Sequence, residues 1–83
     1  MTYALVWEHH AMSEFRRLRA LDPIGAKATT AAVRALADDP RPEAARALGA
    51  SGYYRLHVGT WRILYRPDDS TITVHVLKVG RST

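Results

Sequence analysis

Arg55, His57 and Arg62 stand close together in the chain, and their types suit phosphate chemistry. An arginine fork grips phosphate through two parallel hydrogen bonds, whereas a lysine offers a single point charge. Histidine titrates near neutrality and can take or give a proton. RNA can be cut without a metal when the 2′-hydroxyl attacks its own phosphate. That reaction needs a base for the hydroxyl proton, cations for the growing charge and an acid for the leaving 5′-oxygen. In this scheme Arg55 and Arg62 hold the phosphate and His57 moves a proton. Tyr53, beside them, either stacks on a base or covers the sheet.

Other chemistries find less support. Cysteine is absent, which removes disulfides and cysteine-based zinc sites. His9, His10, His57 and His75 lack metal-ligand spacing, and no carboxylate accompanies the later pair. Ser51 sits in no nucleophile elbow, and no phosphate loop or dinucleotide fingerprint is present. No cofactor and no metal are expected. The charge points to an anionic partner: net +4 overall, with only Lys27 and Lys78 as lysines. Residues 53–83 hold five basic and two acidic groups, a net +3, so the excess belongs to the C-terminal third.

The elements that must position these residues follow from periodicity. Tyr3–Trp7 reads as a strand. From about Glu8 to Leu21, Ala11, Phe15 and Leu18 fall on one helical face. Asp22 is a good N-cap and Pro23 a good first residue for a second helix to about Asp38. Ile24, Ala28, Ala32 and Leu36 are its expected inner stripe. Asp39–Pro42 stops it, and Glu43–Leu48 is expected to form a helical turn. Tyr53–Val58, Trp61–Arg66 and Thr71–Val79 then alternate as strands. The order βααβββ predicts an α+β domain: an antiparallel sheet with the two N-terminal helices packed on one face.

Turn arithmetic sorts the sheet's faces. Gly59-Thr60 fits a two-residue type II′ turn. It sets Val58 opposite Trp61, Leu56 opposite Ile63 and Tyr54 opposite Tyr65, all apolar or aromatic. A four-residue loop at Pro67–Ser70 would pair Arg66 with Thr71, Tyr65 with Ile72, Ile63 with Val74 and Arg62 with His75. One face is then a core of Leu56, Ile63, Tyr65, Val74 and Val76. The other gathers Arg55, His57, Arg62, Arg66 and His75, with Leu64, Leu77 and Val79 and, if the strand continues, Arg81. A solvated sheet face ordinarily mixes signs, so a cluster of one sign asks for an anion.

Eighty-three residues, 47% hydrophobic and 24% charged, make one globular domain spanning 1–83. No apolar run is long enough to span a membrane, and residues 1–9 lack the pattern of a signal peptide. A cytoplasmic location is the expectation.

The stretch Tyr54-Arg55-Leu56-His57-Val58-Gly59-Thr60-Trp61-Arg62-Ile63-Leu64-Tyr65, followed by a strand ending Val79-Gly80-Arg81, resembles the RelE/ParE superfamily of type II toxins. Those toxins typically read Y-R-x-R-x-G-x-Y/W-R-x-x-Y and then V-x-x-V-G-x-R. The likeness extends to the first strand, the helices, the Pro40–Pro42 break and Ala45–Gly49. It implies a toxin neutralised by a cognate antitoxin. RelE-like members bind the ribosomal A site and cleave mRNA; ParE-like members inhibit DNA gyrase; a third outcome is a silent fold that still binds an antitoxin. The implied catalytic set is Arg55, His57, Arg62 and Arg81, with Arg81 at a second phosphate contact or the leaving group. Beside that set, Tyr53, Arg66, His75 and Lys78 are the expected RNA-binding residues. His57 stands where many members carry Lys or Arg. RelE-like nucleases often have a Tyr several residues beyond the final Arg, and the sequence runs only to Thr83, so either His57 takes a larger share, or cleavage is weak, or the activity is lost.

Overall fold

A computed structural model describes residues 2–82. Its elements run β1 (Ala4–Trp7), α1 (His9–Leu21), α2 (Pro23–Ala35), β2 (Arg46–Ala47), β3 (Tyr54–Val58), β4 (Trp61–Asp68) and β5 (Thr73–Arg81). The strands form one sheet in the order β1-β5-β4-β3-β2. The architecture is the expected α+β one, and the sheet is mostly antiparallel. The exception is β1, which lies parallel to β5 with Leu5 beside Val74 and Trp7 beside Val76. Among the described residues no helix is long and apolar enough to cross a membrane.

Local chemistry accounts for the helices. The Asp22 carboxylate accepts the Gly25 amide at 3.1 Å, capping α2, and Pro23 takes the first position, where a missing N–H costs nothing. α1 buries Ala11, Phe15 and Leu18 as its spacing predicts. The inner stripe of α2 differs from the expected one. Ala26, Thr29, Val33 and Leu36 are buried, while Ile24 is 84% exposed. A strict four-residue repeat drifts around a helix of 3.6 residues per turn, and the observed spacing of three, four and three stays on one side.

The core lies between the helices and one sheet face. Leu56, Ile63, Tyr65, Val74 and Val76 are buried with Phe15, Leu18 and Leu36, as the turn arithmetic requires. The Phe15 ring links Trp7 and Trp61, with centroids 5.2 and 5.9 Å away. Fully burying one such side chain contributes ~1.5–3 kcal/mol.

The β3–β4 hairpin has the expected register from Tyr54↔Tyr65 to Val58↔Trp61, and Gly59 takes the positive φ of 60° that its turn demands. The β4–β5 pairing is different. β4 runs on to Asp68, so Arg66 faces His75 instead of Thr71, and Tyr65 faces Val76 instead of Ile72. This displacement is even, so Val74 and Val76 stay in the core. Then a bulge intervenes: Tyr65 pairs with Val76 but Leu64 with Lys78, leaving Leu77 as the extra residue. Beyond it the strand's faces are exchanged. Val79, expected on the basic face, is buried opposite Ile63, and Arg81, expected on that face too, stands opposite the buried Trp61.

The expected helical turn over Glu43–Leu48 is replaced by a turn in which the Ala45 amide donates to the Pro42 carbonyl, and then β2, whose Arg46 pairs with Arg55. The Pro40–Pro42 break is tied to the sheet. Tyr65 Oη donates to the Pro40 carbonyl at 2.8 Å, and Arg41 forks onto Asp69 through two contacts of 3.1 Å.

Candidate functional site

The outer sheet face forms a groove of about 510 Å³. Its floor is β4 and β5, which bring Arg62, Leu64, Lys78 and Gly80 to it. Arg55 and Leu48 close one side. The other side is α1. β1 pairs with β5 only as far as Val76, and α1 packs against β5, turning His10 and Glu14 to the groove. A second concavity shares Arg55 and Leu48 with the first and adds Arg46 and His57.

Pairing places the charged side chains. His57 lies across from Arg62 on the neighbouring strand, and Arg62 lies across from Gly80 on the next. A β-carbon on Gly80 would stand 3.8 Å from Nη2 of Arg62, so the guanidinium lies over β5, the strand that α1 packs against. Lys78 owes its place to the Leu77 bulge: it faces Leu64, on the groove side, where uninterrupted alternation would have turned it inward. Arg55, His57, Arg62 and Lys78 are all exposed. The arginine ion pairs involve other arginines, at Glu14–Arg17 on the α1 wall and at Arg41–Asp69, Arg66–Asp68 and Asp22–Arg81. Among the described residues, Arg55, Arg62 and Lys78 therefore have no carboxylate partner. Three like charges without a counterion on one concave surface are arranged to receive an anion.

The other candidates are placed differently. Arg66 and His75 do share the outer face, but each has a carboxylate there. Arg66 is 3.8 Å from Asp68, and His75 Nδ1 is 3.0 Å from Glu8. The expectation of a face free of acids thus fails at its β1 end. Tyr53 precedes β3 and is exposed, its carbonyl accepting the Leu48 amide. Arg81 is not brought to the groove with the others: Nε lies 3.4 Å from Asp22 Oδ2, on the helix side of the sheet. That carboxylate also accepts the Trp61 indole N–H at 2.9 Å. The indole and Gly25 hydrogen bonds hold the Asp22 carboxyl below its ordinary range, with a smaller contribution from Arg81.

His10, Glu14, Arg46 and Leu48 are groove residues that sequence reasoning missed. His10, Glu14 and Arg17 are spaced by four and three, a row beside the buried stripe of α1, which was the available signal. Glu14 accepts from Arg17 at 2.7 Å, which, with a smaller contribution from His10, holds its carboxyl low. Among the described residues no three His, Asp or Glu side chains gather as metal ligands would.

Solved structures share this architecture. One chain of the RelBE2 toxin–antitoxin complex from Mycobacterium tuberculosis is 26% identical, with a TM-score of 0.81 over 99% of this chain and 100% of that one. A chain of the intact Escherichia coli RelBE toxin–antitoxin complex is 23% identical, with a TM-score of 0.81 over 98% of each. The YoeB/ParE toxin from Agrobacterium tumefaciens is 16% identical, with a TM-score of 0.80 over 96% of this chain and 99% of that one. No curated protein matches the chain. The fold is that of the RelE/ParE superfamily toxins. Within it, residues 5–83 match the family described as the ParE toxin of the type II toxin–antitoxin system parDE, and the chain belongs to that family.

Proposed function

We propose that this toxin is a ribosome-dependent mRNA endoribonuclease, held in check by a cognate acidic antitoxin that covers the groove. The supporting observation is the convergence of Arg55, Arg62 and Lys78, unpaired by acids, with His57 across from Arg62. Arg55 and Arg62 grip the scissile phosphate and offset the charge that grows on it. His57 takes the 2′-hydroxyl proton. Attack by the 2′-oxygen then expels the 5′-oxygen and leaves a 2′,3′-cyclic phosphate. Arg81, turned to Asp22, is removed from the catalytic set in this arrangement. The antitoxin rests on the relatives, two of which are toxin–antitoxin complexes.

The test is cleavage of message on programmed ribosomes. Arg62→Ala should lower the rate about a hundredfold to a thousandfold, as loss of an electrostatic donor typically does. His57→Ala should lower it about a hundredfold to ten-thousandfold. Intact message after incubation with the wild-type toxin would sink the nuclease reading.

A second reading, inhibition of DNA gyrase, is favoured by the ParE family match and by the position of Arg81. Loss of supercoiling by gyrase together with intact message would support it.

A further inference from the structure

Cleavage by internal attack needs two proton transfers, one at the attacking oxygen and one at the leaving oxygen. His57 provides for only one of them. We infer that His10, on the opposite wall of the groove, is the acid that protonates the leaving 5′-oxygen. The inference rests on the nuclease reading above and completes it.

Four observations carry it. His10 and Glu14 line the same groove as Arg55, Arg62 and Lys78. Arg62 is paired with His57 on β3, and its Nη2 lies over Gly80 of β5, the strand that α1 packs against, so its side chain runs from the strand that carries His57 to the strand beside the wall that carries His10. His57 lines the adjoining concavity and His10 the first groove, the two sharing Arg55 and Leu48, and the assignment sets the histidines on different sides of the phosphate. In-line displacement requires this, because the attacking and leaving oxygens sit on opposite sides of phosphorus. Glu14, one turn along α1, is a carboxylate on the same wall, placed to attract the charge of a protonated His10.

The step balances without a co-reactant. The 2′-hydroxyl gives its proton to neutral His57 as the 2′-oxygen bonds to phosphorus. The P–O5′ bond breaks, and the departing oxygen takes the proton of the His10 imidazolium. The products are a 2′,3′-cyclic phosphate and a 5′-hydroxyl. His57 is left protonated and His10 neutral, and exchange with water resets both.

The test compares ordinary message with message carrying a bridging 5′-sulfur at the scissile bond, both on programmed ribosomes. A thiolate leaves without being protonated. His10→Ala should lose about a hundredfold to ten-thousandfold on the oxygen substrate and regain nearly wild-type rate on the sulfur substrate. His57→Ala should stay slow on both. His9→Ala, whose side chain lies outside the groove, should match wild type on both. His10 is exposed and alanine is the best helix former, so the fold should survive the change. Wild-type rates for His10→Ala on the oxygen substrate, or an equal deficit on both substrates, would overturn the assignment and leave the nuclease reading standing. Two intact substrates with wild-type toxin would overturn both.

Discussion

Asp22 accepts the Gly25 amide through Oδ1 and the Trp61 indole through Oδ2, with Arg81 Nε 3.4 Å from Oδ2. All three favour the ionised carboxyl, so its folded pKa lies below the unfolded one. Such a group contributes stability that is present above the unfolded value near 3.9 and is lost as pH falls through the folded value. Asp22→Asn would turn an amide N–H toward the indole N–H, so it should lower the urea midpoint at neutral pH and flatten the acid limb of the stability profile. Tyr65 works in the opposite direction. Burial, helped by Tyr54, raises its hydroxyl to about 12. The stability it contributes is full below the unfolded value near 10 and is lost as pH rises toward 12, so Tyr65→Phe should reduce alkaline unfolding in that window. Gly25 is fixed by close approach: a β-carbon there would collide with the Asp22 carboxylate and the Trp61 indole nitrogen. Gly25→Ala should cost ~1–3 kcal/mol in denaturant titration, the range of an overpacked site. The cap at Asp22-Pro23 was legible in the sequence because capping is local. The bonds from the same carboxylate to Trp61 and Arg81 were not, because they need the long-range pairing of β4 with β5.

β5 carries the largest difference between sequence pattern and structure. Its apolar residues Val74 and Val76 alternate with Thr73 and His75, and the pattern alone extends that alternation through Val79. Leu77 interrupts it, and the sequence holds no glycine or proline at that point to announce a bulge. Packing explains the choice. With the bulge Val79 is buried and Lys78 reaches solvent; without it the ammonium would enter the core. Deleting Leu77 should therefore join Val76 directly to Lys78 in regular alternation, leaving Lys78 outward and Val79 buried, so the urea midpoint should change little. A steep fall in the midpoint would show that Leu77 itself, and not only the side on which it sets Lys78 and Val79, holds the strand in place. The β3–β4 hairpin was fully legible because Gly59-Thr60 fixes both turn type and register. β2 was not, since two residues leave almost no periodic signal and its partner Arg55 supplies the order.

Across the molecule, charge separates the groove cations from the arginine that resembles them in sequence. Arg55 and Lys78 face the groove without acidic partners, whereas Arg81 faces Asp22. Each phosphate contact contributes about 0.7 to the slope of log affinity against log salt on a single strand. Arg55→Ala and Lys78→Ala should each flatten that slope by about this amount when binding to single-stranded RNA is followed by anisotropy. Arg81→Ala should leave it unchanged; a matching loss would put Arg81 back among the RNA contacts. Composition had already located the positive excess in residues 53–83, but the wall that α1 adds could not be read there, since it depends on the parallel pairing of β1 with β5. That pairing has a consequence for synthesis. β1 and α1 emerge from the ribosome first, and β5, the strand both of them contact, emerges last. A nascent chain lacking β5 has no partner for Leu5 and Trp7, no Lys78, and no floor beneath Arg62. The groove therefore exists only once β5 has paired with β1 and packed on α1, so its floor and its far wall are made in a single step of folding.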